Sequence, residues 1–404
     1  VPVEMRPKPE LIEATAKALL AAKMPMICAG AEVTRAGAND ALVELAELLG
    51  APVAQGFSVY GDFPFRHPLF AGYYGLGVPR GLGKTDVFLN LGAPAPDPGL
   101  FTAPVPSRAK NIHARIEYET IANTYPTDIA IAAGMGETIS ELNDALKSMA
   151  TASSLQRLAE PRLAAAREDQ KKRDDLRQKA GREHWNASPL SWERLSWELD
   201  EALEDDAIIL AELDYRTPFE WMDLGPQRKW LIGQTTGFAL GWSLGAAMGA
   251  KVAQPDRQVA CLVGDGALLF GQIEALWTAS RYDIPTLIVV FNNRSYDNER
   301  NRIQDRSPLM RNAETRDQWK DITCWLGDPV VDFAGLARSF GIEAATVSEP
   351  DELRRALDRA RGVMREGRPF VLDAVITQLD RKGQRTEQTW YPDISIAAER
   401  TRMV

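Results

Sequence analysis

Two apolar runs, each ending in a polar cluster, constrain this chain more than any other feature of it. Val259-Ala260-Cys261-Leu262-Val263 leads into Gly264-Asp265-Gly266, and the run from Thr286 to Phe291 leads into Asn292-Asn293. Both have the length and unbroken apolarity of strands buried on two faces. The roughly 25 residues between the clusters include a helical pattern from Gln272 to Tyr282, which is what a right-handed parallel crossover requires. The two strands are therefore expected as neighbours or near neighbours in one parallel sheet. Their polar clusters then share its carboxyl edge, where open α/β sheets bind ligands.

The rest of the chain repeats the alternation. Before residue 150, helices are expected at Pro9 to Ala22, Ala38 to Leu49 and Thr138 to Ser148, and strands at Pro25 to Ala29, Val87 to Leu91 and Ile129 to Ala133. A strongly charged stretch follows from about Leu155 to Trp185, read as a solvated helix and connector. Beyond it come a strand at Ala207 to Leu213, a helix at Gly237 to Val252, and, after the two central strands, a helix at Asp351 to Arg365 and a late strand at Pro369 to Ile376. The fold class expected is α/β with two doubly wound parallel-sheet domains. The boundaries read as 1–150 for a central Rossmann-like domain, 151–189 for a charged helical linker, 190–380 for the site-bearing domain and 381–404 for a C-terminal tail.

Composition narrows the partners. At 404 residues and 45% hydrophobic, the chain has enough material for two ordinary cores. A net charge of -9 offers no basic footprint, so nucleic acid and anionic membrane are not expected. Cys28, Cys261 and Cys324 lie far apart without C-x-x-C spacing, which frames neither a disulfide scaffold nor a zinc site and suits a reducing, cytoplasmic compartment. The stretch from Trp230 to Ala253 is mostly apolar with glycine at every fourth position from Gly233 to Gly249, yet Gln234, Thr235, Thr236 and Ser243 interrupt it. A tightly packed helix of a soluble protein needs the same glycine face, and no membrane span is expected. The chain opens at Val1 with no initiator Met and no signal-peptide layout, which reads as a fragment, a processed piece or one subunit.

An aspartate and an asparagine converging at a sheet edge offer hard oxygen ligands rather than imidazole or thiolate. Such ligands suit magnesium, which commonly shares its shell with phosphates. The flanking glycines let main-chain amides approach a phosphate closely. Residue types and placement alone thus point to a magnesium diphosphate site.

The pattern resembles a known family. Gly264-Asp265-Gly266 followed at this spacing by Asn292-Asn293 is similar to the signature of thiamin diphosphate enzymes. Gly237-Phe238-Ala239-Leu240 before it, and Ala275-Leu276-Trp277-Thr278-Ala279 with Ile284-Pro285-Thr286 within it, resemble benzoylformate decarboxylase and acetolactate synthase-like proteins. The resemblance implies that Asp265, the side chain of Asn293 and the main-chain carbonyl of Ser295 bind the metal. It places Gly264, with the amides of Gly266 and Ala267, against the diphosphate of thiamin diphosphate. Gln234, Thr235 and Thr236 fall where the family meets the aminopyrimidine, and Tyr296 near the cofactor. Relatives usually carry a bulky Met, Leu or Ile where Thr236 stands, so the chain departs from the pattern there.

The resemblance further implies carbon-carbon lyase or ligase chemistry on a 2-oxo acid or related carbonyl substrate, of decarboxylase or acetolactate synthase type. A non-catalytic cofactor-binding subunit and a 2-hydroxyacyl-CoA lyase-type enzyme are the alternatives. Family members have a third, pyrimidine-binding domain whose glutamate activates the cofactor, and no residue here takes that role. A pyrimidine-binding domain on another chain, or one preceding Val1, is therefore expected, within a dimeric or tetrameric homo- or hetero-oligomer. Central domains of the family sometimes hold FAD or ADP, but no residue is assigned to either.

Weaker signals remain. Gly77 to Thr85 imitates a P-loop, but its glycine spacing fails and it leads into a strand rather than out of one. His67 reads as a structural hydrogen-bonding residue, His113 follows a probable strand, and His184 ends the charged stretch. Glu212, Asp214 and Tyr215 close a strand at the same edge as Asp265, with a pocket role and an ordinary strand end equally open. The run from Arg294 to Gln304 reads as a solvated helix start. The tail from Arg381 onward, with Trp390, Tyr391 and Pro392, reads either as a lid or as a surface segment.

Overall fold

A computed structural model of the chain describes residues 5–56, 58–74, 78–95, 104–213, 217–226, 228–233, 239–271, 273–306, 324–327, 329–379 and 385–386. They form two compact units, one of Val1–Lys179 with Asp223–Phe238 and the other of Ala180–Met222 with Ala239–Val404.

In the first unit, strands β1 (Pro25–Ala29), β2 (Val53–Gln55), β3 (Phe70–Tyr73), β4 (Val87–Leu91), β5 (Lys110–Arg115) and β6 (Ile129–Ala132) form one sheet in the order β3-β2-β1-β4-β5-β6. All its pairings are parallel. β1 and β4 are buried along their whole length, as their largely apolar sequences, interrupted by Asn90 in β4, require. Helices α1 (Pro9–Ala21), α2 (Ala31–Arg35), α3 (Asn39–Leu49) and α4 (Met135–Met149) contribute Leu19, Val33, Leu42, Leu45 and Leu142 to the core around the sheet. The charged stretch is one helix, α5 (Ala152–Glu183), and one face of its first half is withdrawn from solvent. Leu155 and Ala159 are buried, and Arg162 donates to the carbonyls of Leu49 at 2.7 Å and Ala22 at 2.6 Å. That cation satisfies carbonyls left over at the ends of α3 and α1.

The second sheet comprises β7 (Ile208–Glu212), β8 (Trp230–Ile232), β9 (Val259–Gly264), β10 (Leu287–Asn292), β11 (Glu343–Val347) and β12 (Phe370–Val375), in the order β11-β12-β10-β9-β7-β8. The two site-bearing strands are direct parallel neighbours, with Phe291 opposite Gly264. α6 (Trp192–Ala202) and α7 (Thr217–Trp221) flank β7 in sequence, and α8 (Ser243–Ala253), α9 (Asp265–Phe270), α10 (Ala275–Arg281), α11 (Asp297–Arg306), α12 (Phe333–Ser339) and α13 (Pro350–Arg365) follow. The glycine-spaced helix starts at Ser243, six residues after the expected Gly237. Gly237 itself lies outside the described residues, but 239–242 are not helical. The reason is local: Gly241 takes a left-handed φ of 88°, open to glycine at little cost, and breaks the helical path there. None of the described helices is long and apolar enough to cross a membrane.

Candidate active site

The carboxyl edge of the second sheet gathers the polar groups. The ends of the neighbouring strands β7, β9 and β10 present Glu212, Gly264 and Asn292 there. Gly264 caps α9, whose first residue is Asp265. Gly266 and Ala267 continue that short helix.

Asp265 is 3% exposed. Its Oδ1 accepts from the Gly266 amide at 2.8 Å and its Oδ2 from the Ser295 amide at 3.2 Å. The same Ser295 amide donates to Asn293 Oδ1 at 3.0 Å. One amide thus draws the aspartate and asparagine oxygens together from two strand ends, as the pairing of β9 with β10 allows. Burial pushes the Asp265 carboxyl up to about 7, Asp297 adding to the rise and the amides of Gly266, Arg294 and Ser295 opposing it. Its hydrogen-bond partners among the described residues are main-chain amides, with no cationic side chain among them. A buried carboxylate in that state lacks a compensating positive charge.

The turn after Asn293 is unusual. Arg294 has φ of 57°, a left-handed conformation uncommon for a residue with a side chain. Its amide donates to Asn292 Oδ1 at 3.2 Å, its carbonyl accepts from Leu326 at 2.7 Å, and the next amide but one, Tyr296, donates to the Cys324 carbonyl at 2.8 Å. Ser295 is buried, and its Oγ has no partner among the described residues. Tyr296 lies over Gly266, where an added Cβ would come within 2.3 Å of its ring, so this position excludes any larger residue as the ring is placed. The Tyr296 and Phe270 rings meet at 5.6 Å between centroids.

These groups fit the cation and diphosphate expected from the sequence. One carboxylate and one amide oxygen are a hard donor set, the carboxylate is short of positive charge, and an orphaned hydroxyl sits beside them. The structure brings together Gly264, Asp265, Gly266, Ala267, Asn293, Ser295 and Tyr296. Gln234, Thr235 and Thr236, with Asp214, Tyr215 and nearly all of the tail from 381, lie outside the described residues.

Supporting residues surround the site: Glu212, whose role the sequence leaves open between two readings, and Gln378 and Asp373, which escaped the sequence reading. Glu212, 4% exposed, accepts from the Gly241 amide and, at 3.1 Å, from the Ser243 amide. It caps the start of α8, which decides its ambiguous role in favour of holding the backbone. Gln378 Nε2 donates to the Asn293 carbonyl at 3.2 Å. Asp373, 2% exposed, accepts from Asn292 Nδ2 at 2.9 Å. The signal for it was an aspartate inside the otherwise apolar strand Phe370-Val371-Leu372-Asp373-Ala374-Val375. The run after Asn293 is also less solvated than expected: Arg300 is 3% exposed and pairs with Asp297 at 2.9 Å.

The histidines are structural where described. His67 Nδ1 accepts from the Leu69 amide at 3.2 Å, as expected of a loop entry. His113 lies within β5 rather than after it, buried, with Nε2 3.0 Å from the Ala93 carbonyl, and burial lowers its pKa. The P-loop-like stretch forms a single 3-10 turn at Leu82–Lys84 before β4.

Comparison with known proteins agrees with this picture. Residues 218–374 match the family model for the thiamine pyrophosphate enzyme C-terminal TPP binding domain, and residues 12–142 match that for the central domain. The chain is 30% identical over 397 residues to a sulfoacetaldehyde acetyltransferase of Roseovarius nubinhibens, covering 91% of this chain and 62% of that protein. It is 28% identical to a benzoylformate decarboxylase of Pseudomonas aeruginosa, covering 88% of this chain and 62% of the relative. An acetolactate synthase large subunit of Parasynechococcus marenigrum is also 28% identical, with 99% and 61% covered. Among solved structures, a thiamine diphosphate-dependent 4-hydroxybenzoylformate decarboxylase of Rhodococcus jostii superposes with a TM-score of 0.73 at 26% identity, covering 93% of this chain and 66% of that one. The chain therefore spans less than two thirds of the length of each of these relatives.

Proposed function

From the chain's membership of the thiamine pyrophosphate enzyme family, which it enters through a central and a C-terminal cofactor-binding domain, we propose that it forms the diphosphate- and metal-binding part of a magnesium-dependent carbon-carbon lyase or ligase. Its substrate class is a 2-oxo acid or related carbonyl compound, as in decarboxylases and acetolactate synthases. The observation that carries this reading is the convergence of Asp265 and Asn293 on one amide, with a carboxylate that burial leaves short of positive charge.

In this reading Asp265, Asn293 and the Ser295 carbonyl hold magnesium. Gly264, Gly266 and Ala267 line the diphosphate with main-chain groups, and the Gln234-Thr235-Thr236 segment meets the pyrimidine ring. Tyr296, packed on Gly266 and Phe270, shields the anchor from water, which strengthens every charge interaction beneath it. When bound, thiamin diphosphate supplies a nucleophilic carbon for addition to a carbonyl and an acceptor for the electron pair of the broken carbon-carbon bond. The chain's own residues bind and orient. The proton-moving glutamate belongs to a pyrimidine-binding domain, which the two matched domains do not include. The share of each relative's length left unmatched leaves room for such a domain.

Titration calorimetry with thiamin diphosphate, with magnesium and with EDTA, tests the binding part. Affinity independent of magnesium would overturn it. Turnover of 2-oxo acids by the chain, alone and with a pyrimidine-binding domain added, tests the second part. Full turnover by the chain alone would remove the need for a partner.

A further inference from the structure

The aspartate in the interior of β12 stands out among the buried polar groups. A sheet centre is an expensive place for a carboxylate, and a residue there must have its hydrogen bonds completed. Asp373 has them from both neighbouring strands. Thr346 Oγ1 of β11 lies 3.2 Å from its Oδ2, and Asn292 Nδ2 of β10 lies 2.9 Å from its Oδ1. Register explains how one side chain reaches both: Asp373 sits opposite Thr346 on one side and Val290 on the other, one side-chain row short of Asn292.

The bond to Asn292 settles more than packing. An amide side chain can present either nitrogen or oxygen, and an ionised carboxylate can only accept. Asp373 therefore draws the Asn292 nitrogen toward itself and turns Asn292 Oδ1 toward the chain beyond it. That oxygen accepts the Arg294 amide at 3.2 Å, at the residue held in the left-handed region. The turn so fixed carries Asn293 and Ser295, whose oxygen and amide meet at 3.0 Å and whose amide also meets Asp265 at 3.2 Å. Hydrogen bonds thus lead from Thr346 through Asp373 and Asn292 to the Arg294 amide, and the amide of the next residue, Ser295, carries on to the Asp265 carboxylate.

We propose that Asp373 is a positioning residue for the cation site: from inside the sheet it selects the orientation of the Asn292 amide, and through it the strained turn that aims Asn293 and Ser295 at Asp265. The proposal rests on the magnesium diphosphate reading above and adds to it a residue two strands from Asp265 and one strand from Asn293. It also accounts for a polar residue where Val or Leu would pack without cost.

The test is the affinity for thiamin diphosphate measured with magnesium and with EDTA, in the wild-type chain and in Asp373→Leu and Asp373→Asn. Losing an outer partner of a metal ligand typically costs about 10–100-fold in metal affinity. Asp373→Leu should therefore reduce the tightening that magnesium brings by about 10–100-fold, leaving the affinity in EDTA unchanged. Asp373→Asn keeps an acceptor for Asn292 and a donor for Thr346, and should restore most of the metal effect. A purely structural role would weaken both affinities equally or only lower the unfolding temperature, and either result overturns the proposal. Should Asp373→Leu fail to fold, Asn292→Ala breaks the same line from the other end, and an undiminished magnesium effect in that variant overturns the proposal as well. A wild-type chain without any magnesium effect would instead defeat the reading of the site itself, so the two failures are distinguishable.

Discussion

The two sheets end in comparable edges and treat a buried carboxylate in opposite ways. In the first, Glu32 of α2 sits 3.1 Å from the Arg115 guanidinium and accepts from the amides of Ile116 at 2.8 Å and Glu117 at 3.4 Å. Arg115 in turn reaches Thr120 at 2.7 Å and Glu117 at 2.6 Å. In the second, Asp265 is as deeply buried but is held by main-chain amides. Both edges lie at the carboxyl ends of parallel strands, yet the protein itself closes the charge balance at one and leaves it open at the other. Fold alone therefore does not locate a ligand; the uncompensated charge does.

The largest effect expected from this contrast is on stability. Arg115→Met leaves Glu32 buried without its cation and should cost the first unit about 3–5 kcal/mol. Urea unfolding of that unit would show the loss, while magnesium-dependent cofactor affinity stays unchanged. A shift in cofactor affinity instead would erase the distinction between the edges.

Asp265→Ala should do the reverse. We expect about a 100-fold loss of thiamin diphosphate affinity in magnesium, or about 2.8 kcal/mol, with the fold retained. Calorimetry measures the loss, and circular dichroism checks the fold.

pH offers a third lever. The Asp265 carboxyl stands near 7 in the folded chain, above its unfolded value. Its contribution to stability is thus fully present below about pH 4 and is lost as pH rises through about 7. Without metal, the unfolding temperature of the second unit should fall across that window, and magnesium with cofactor should offset the fall. Asp265→Asn should remove this pH dependence. Cofactor affinity in magnesium should climb as pH approaches 7 and level off above, because the metal needs the ionised form.

The smallest change expected is at the start of α8. Glu212→Gln retains one acceptor oxygen and replaces the other with a donor facing an amide, a loss of about 1–2 kcal/mol seen in thermal unfolding. An equal loss from Glu32→Gln would argue that the two carboxylates do the same work.

Much of this contrast was legible in the residues, for reasons that also explain what was not. β1, β4, β9, β10 and β12 were readable because each is dominated by apolar residues, even with Asn90 inside β4 and Asp373 inside β12. β2 is three residues long, and β11 is half-buried with Ala and Thr rather than large apolar residues, so neither stood out from its surroundings. The glycine spacing near 241 fitted a longer helix, and the start was misplaced because it depends on Glu212, about 30 residues earlier in the chain. Asp265 and Asn293 were visible as a motif. Their support was not, since Asp373 meets Asn292 across 81 residues of sequence. Local patterns give strands and their endings, whereas the contacts that hold an ending in place are decided by which strands become neighbours.

The anchoring of α5 bears on how the first unit would be isolated. Arg162 binds the carbonyl ends of two helices, and Leu155 and Ala159 fill the space beside α3. A protein engineer excising this unit near residue 150, where the charged sequence begins, would strip away its closing clasp and expose apolar surface to aggregation. Cutting after the second turn beyond Arg162 would instead carry that clasp along.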